Sequence, residues 1–218
     1  MRNVWQRFLA ALTPGVRVLL CLLAAVYLAA VIGREIHAFD LYGWFALSGP
    51  DLWRGQVWRL VTYALLPAGI LDFVMNAIAL VMLGGLLERH WSRGQLWLYC
   101  IVVVAGAGAA KVLLPFASPM PLTGTAPMMF GLLLAWGFLC GGEVINLLVF
   151  GQMTVWKLVL GASAVSLSIM MLTGGLSTAL ILAAGGLTGW LYLRLTHKWL
   201  MSRPSRVNSS ERISRLEL

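Results

Sequence analysis

The chain has 218 residues, 60% of them hydrophobic and 11% charged, and its mean hydropathy is +0.86. Soluble domains carry about 25% charged residues, so this composition excludes an ordinary water-soluble domain and indicates an integral membrane protein. The net charge of +8 does not indicate nucleic acid, because the basic residues lie between apolar runs and in the tail, where they record membrane orientation.

Residues 1–17 form a short basic arm in which Trp5, Phe8 and Leu9 can lie in the interface. Six apolar runs follow, near 18–33, 68–87, 95–115, 122–141, 156–173 and 175–194. Each is close to the length that a bilayer core of about 30 Å requires. The last two are joined only by Thr173-Gly174-Gly175, and a five-span alternative merges or shifts them. No small-residue cleavage site follows the first run, which reads as a retained span. Cys21, Cys100 and Cys140 fall inside apolar runs and read as small lipid- or core-facing residues, so neither a disulfide nor a metal or cofactor is expected.

The predicted organisation is therefore an all-α membrane protein: an arm over 1–17, a transmembrane domain over 18–194 and a basic tail over 195–218. Six spans put both termini on one side. That side holds twelve of the sixteen Lys and Arg residues, and the other holds Arg34, Arg54, Arg59 and Lys111, so both ends are expected in the cytoplasm. The tail is polar and arginine-rich, suited to anionic lipid. The external loop from Arg34 to Arg59 carries Ile36, Phe39, Trp44, Phe45, Trp53 and Trp58, which predicts short amphipathic helices at the outer leaflet.

Residues 122–131, Leu-Thr-Gly-Thr-Ala-Pro-Met-Met-Phe-Gly, open the fourth run with a turn of small residues before Pro127. Proline suits the first turn of a helix, where its missing N–H is not needed. Such a polar, kinked start is a place where a membrane enzyme can hold a nucleophile. Here the residue at that place, Ala126, offers only a methyl group.

The run Gln56-Val57-Trp58-Arg59-Leu60-Val61-Thr62-Tyr63 resembles the Trp-Arg loop signature of the rhomboid family. Further matches follow in order: Asn76 in the second span, Gly84-Gly85-Leu86-Leu87-Glu88 at its end, and Gly94-Gln95-Leu96-Trp97-Leu98-Tyr99 opening the third. Gly124 and Phe130-Gly131 lie in the fourth span, with Gly185 and Gly189 in the sixth. The resemblance spans roughly residues 18–194 and implies a six-helix rhomboid-like bundle, the fold of serine-type intramembrane endopeptidases. The short tails and lack of an extra domain favour a bacterial inner-membrane member.

The same resemblance exposes three departures. Rhomboid proteases place their serine five residues before the glycine of Phe-Gly; that position is Ala126, with Pro127 in place of the next glycine. The base histidine three residues before the first glycine of the sixth-span pair becomes Leu182, or Ala183 if Gly186 is the reference. The oxyanion-hole histidine four residues before the second-span asparagine becomes Asp72. The only histidines, His37, His90 and His197, lie outside the predicted spans, so no change of register supplies a base.

Asp72 and Asn76 are one helical turn apart, and Lys111 lies toward the same external side. An Asp72–Lys111 ion pair plugging the former cavity is one expectation. The other has Asp72 capping its own helix in water and Lys111 snorkelling separately. Trp58-Arg59 reads as an interfacial anchor whose arginine bonds loop carbonyls or lipid phosphates. Glu88 is expected to bond backbone or neighbouring helices, Gly185 and Gly189 to allow close packing, and Ser163, Ser166 and Ser168 to bond back to helix carbonyls.

These readings favour a rhomboid-like pseudoprotease that binds membrane lipids and transmembrane clients without cutting them. A serine-type protease using Thr125 lacks a base, and a lipid-perturbing protein acting through the aromatic loop is a third alternative. Neither client nor oligomeric state is legible in the sequence.

Overall fold

A computed structural model describes residues 13–36, 40–114, 120–147 and 151–201. Most of the expected arm and tail, together with His37 and Phe39, lies outside them.

Helix α1 (Pro14–Glu35) starts on proline after an extended Thr13. Three short helices follow: α2 (Leu41–Phe45), α3 (Gly49–Trp53) and α4 (Arg59–Thr62), the last running into a 3₁₀ turn at Tyr63–Leu65. Short helices are what the aromatic loop predicted. The next long element comprises α5 (Ile70–Ala79), a π-helical turn at Leu80–Gly84 and α6 (Gly85–His90). The π turn buries Leu80 and Val81 and brings Gly84 to α1, where a Cβ would stand 2.9 Å from Val16 Cγ2. Helix α7 (Arg93–Leu113) opens on a capping box, Ser92 Oγ accepting from Gln95 N–H and Gln95 Oε1 from Ser92 N–H.

Helix α8 (Ala126–Cys140) is shorter than the predicted run, since residues before Ala126 are extended or turned. Fifteen helical residues reach only about 22 Å. The helix is apolar around its circumference and packed by other helices. Gly131 meets Val103 of α7, and Gly137 meets Val159. Tyr99 donates its hydroxyl hydrogen to the Gly131 carbonyl at 2.7 Å. A helix enclosed in this way need not match the lipid.

After α8 comes a small antiparallel hairpin, β1 (Val144–Leu147) with β2 (Gly151–Thr154), pairing Val144 with Thr154 and Leu147 with Gly151. Val144 and Ile145 supply the β-branched residues of the first strand, and Glu143 and Asn146 are exposed.

Helix α9 (Val155–Met201) is a run of 47 residues interrupted at Gly175, whose φ of 74° and ψ of −179° are not helical. The two limbs, 155–174 and 176–201, pack at opposite ends of α8. Trp156 N–H donates to Gly141 at the C-terminal end of α8, whereas Gly185 touches Pro127 at its start. A straight helix would carry residue 185 about 45 Å from residue 155, twice the length of α8. The chain therefore reverses at Gly175, which separates the two runs that the five-span alternative would merge.

Among the described residues, Pro14–Arg34, Ile70–His90, Arg93–Leu113 and Val155–Thr196 are long and apolar enough to cross a membrane, and Ala126–Cys140 is a shorter apolar helix. The molecule is an all-α integral membrane protein in class. Its main core joins Tyr63, Leu80, Leu96, Tyr99, Val103 and Leu132, all fully buried.

Candidate functional site

The head of α8 is built by contacts from distant parts of the chain. Leu122 pairs with Leu47 through reciprocal backbone hydrogen bonds of 2.8 and 3.0 Å, which pins the external loop to the segment before α8. Tyr63 adds two links: its hydroxyl donates to the Val104 carbonyl at 2.9 Å, and its own carbonyl accepts from Gly124 N–H at 3.1 Å. Gly124 has φ +108°, a conformation open to glycine and strained for other residues. Turned by it, Thr125 is fully buried (0% exposed), and its hydroxyl has no hydrogen-bond partner among the described residues.

Ala126 is half-buried and Pro127 buried in the first turn of α8. The second limb of α9 closes onto this turn. A Cβ on Gly185 would lie 3.0 Å from Ala107 Cβ and 3.5 Å from Pro127 Cβ, and one on Gly189 only 2.6 Å from the Tyr99 hydroxyl. Leu182, three residues before Gly185, is 3% exposed, and Ala183 is half-buried. Phe130 and Gly131 are buried in α8, with Phe130 against Gly186. No residue in this constellation carries a basic nitrogen. His90 lies exposed at the end of α6, its Nδ1 3.1 Å from the Leu86 carbonyl, and the side chain of His197 lies outside the described residues.

The expected Asp72–Lys111 ion pair is corrected by the geometry. Asp72 sits in the first turn of α5, where its carboxylate accepts from Ala68 N–H at 2.9 Å and from the Asn76 amide at 2.7 Å. Lys111 is buried at the end of α7 and donates to the Met120 carbonyl at 3.0 Å. Each charge satisfies backbone near its own helix end. Asp72 follows the alternative, an acid at a helix start, and Lys111 clamps the chain that leads to α8.

Two motif residues are hubs. Glu88 accepts from Gly15 N–H at 2.8 Å, from Val16 N–H at 3.0 Å and from the Thr13 hydroxyl, and Arg93 stands 3.8 Å away. Arg59, 6% exposed, donates from Nε to Gln56 Oε1 and from Nη1 to the Ala46 carbonyl, each at 2.6 Å. Asp51 lies 3.4 Å from the same Nη1. Its carboxyl is held below its ordinary pKa, first by the Ser48 hydroxyl and then by Arg59 and Arg54, against the opposing effect of burial. Arg59 thus bonds a loop carbonyl, as its anchor reading anticipated, while Trp58 beside it is exposed. Ser166 bonds back to Ala162 at 2.8 Å as expected, but Ser163 Oγ is buried without a partner among the described residues.

Tyr63 carries no catalytic or ligand signature in the sequence. Its place at the end of the Trp-Arg run was visible, but its two bonds depend on contacts 41 residues or more away.

No curated protein matches the chain. The model of a family described as "Eukaryotic integral membrane protein (DUF1751)" matches residues 17–212. Its eukaryotic description weighs against the bacterial inner membrane expected from the short tails. With the match running from the first span into the basic tail, the chain belongs to this family of integral membrane proteins.

Proposed function

We propose that this protein is a rhomboid-like pseudoprotease, a membrane protein that holds transmembrane segments of clients without cleaving them. The observation that carries the reading is the head of α8. Where the resemblance implies a serine nucleophile stands Ala126, in a turn closed by Gly185, and the position three residues before Gly185 is the buried Leu182 rather than a histidine. An acyl transfer of the rhomboid type needs a hydroxyl and a base within hydrogen-bond reach; Ala126 offers no hydroxyl, and the Thr125 hydroxyl beside it has no hydrogen-bond partner among the described residues. The resemblance further supports counting six crossings: α1, α5 with α6, α7, α8 and the two limbs of α9. The lysine and arginine distribution favours both termini in the cytoplasm.

A photocrosslinking residue at Leu71, exposed beside Asp72, tests this in membranes. Adducts at the summed mass of protein and intact client, and stronger than from Leu28 on α1, are expected. Cleaved client, or equal capture from both positions, contradicts the proposal.

A second reading draws on the loop itself, where Trp44, Trp53 and Trp58 are exposed, Trp53 at 79%. Inserted at the interface, these rings can perturb lipid packing. A scrambling assay with the three tryptophans replaced distinguishes that activity from client binding.

A further inference from the structure

The external loop holds a cavity of about 260 Å³ lined by Asp40, Gly43, Trp44, Gln56 and Arg59. None of the residues around Ala126 lines it, and of its lining only Arg59 was expected to meet lipid phosphate, with no ligand role foreseen for Asp40 or Trp44. Its lining combines a cation, an anion and an indole.

Arg59 is fixed before any ligand arrives. Gln56, Ala46 and Asp51 engage Nε and Nη1, which sets the plane of the guanidinium and leaves Nη2 outside these contacts. A guanidinium held in this way is pre-organised for phosphate oxygens. Asp40 precedes α2 without making a side-chain cap to it. Its carboxylate lies over Gly43, where a Cβ would fall 2.5 Å from Oδ2, so glycine gives the acid its room. Trp44 is 63% exposed, and an indole face attracts ammonium groups.

The loop joins the end of α1 to the start of α5 and presents Trp53, Val57 and Trp58 outward. Exposed tryptophans at such a density mark headgroup depth.

We propose that this cavity binds a zwitterionic phospho-amine headgroup, with the phosphodiester on Arg59 and the ammonium between Asp40 and Trp44. An anionic glycerol headgroup satisfies Arg59 equally well but brings no cation to Asp40. The site therefore discriminates through the acid, not the arginine.

The test uses the full chain, delipidated in detergent, with an acyl-labelled fluorescent phosphatidylethanolamine read by anisotropy. Unlabelled phosphatidylethanolamine, phosphatidylglycerol of the same acyl chains and soluble glycerophosphoethanolamine are the competitors. Phosphatidylethanolamine is expected to compete about fivefold better than phosphatidylglycerol, the preference that one ammonium contact supplies. In Asp40→Asn the two lipids should fall within about twofold of each other, with the circular dichroism unchanged. If that variant fails to fold, Trp44→Leu carries the same expectation. Displacement by glycerophosphoethanolamine identifies the headgroup alone as sufficient; displacement only by the lipid identifies the intact phospholipid as the ligand. Equal competition by phosphatidylglycerol in the unmodified protein, or an undiminished preference in the variants, overturns the proposal.

Discussion

The carboxylate of Glu88 accepts the backbone N–H of Gly15 at 2.8 Å, so the end of α6 caps the start of α1 from 73 residues away. The first N–H groups of a helix have no intrahelical partner, and here one acid serves two of them together with the Thr13 hydroxyl. Its side chain is only 5% exposed, so the interaction is protected from water. Glu88→Ala should lower stability by about 1–3 kcal/mol, the cost of stranding such donors. Glu88→Gln keeps an acceptor and should lose less. Thermal unfolding of the purified protein in detergent measures both.

The reversal at Gly175 gives a second prediction. Its φ of 74° with ψ of −179° is a combination that only glycine adopts without strain, and another residue there costs about 1–3 kcal/mol. Gly175→Ala should therefore destabilise although a Cβ would meet nothing within 4 Å. Gly189→Val should destabilise for the opposite reason, because its Cβ runs into the Tyr99 hydroxyl and Val103. Unfolding in detergent checks both, and a stable Gly175→Ala would contradict the reversal.

Asp72 and Lys111 make separate contacts, so their losses should add. Asp72→Asn and Lys111→Met, alone and together, are expected to show a coupling below about 0.5 kcal/mol in a double-mutant cycle. A larger coupling would reinstate the ion pair.

The long apolar runs were legible because length and hydrophobicity suffice to mark a span, whereas the short Thr173-Gly174-Gly175 connection left a five-span merger open that the backbone at Gly175 resolves. What the sequence could not disclose is set by rotation and by distant pairing. Asp72 and Lys111 were expected toward the same end, but depth says nothing of which way each side chain turns. The Leu47–Leu122 bridge joins residues 75 positions apart, and the π turn at Leu80–Gly84 has no signature in an unbroken apolar run. The vacancy at Ala126 was readable from the motif; the closure of Gly185 onto Pro127 was not.

The loop has its own pH response. Asp51 titrates below its ordinary value of 3.8 when folded, so its contribution is present above that value and is lost as pH falls through the folded pKa. The loop around Arg59 should loosen only in strong acid, below pH 3.8, seen as a change in tryptophan fluorescence. Asp51→Asn should remove that transition.

Labelling of the detergent-solubilised protein by a fluorescent fluorophosphonate, beside an active rhomboid protease, reads directly whether the head of α8 holds a reactive hydroxyl. No labelling is expected, because the head of α8 carries a methyl group at Ala126 and Thr125 has no hydrogen-bond partner among the described residues to activate it. Labelling that disappears in Thr125→Val would contradict that expectation and make this chain an enzyme.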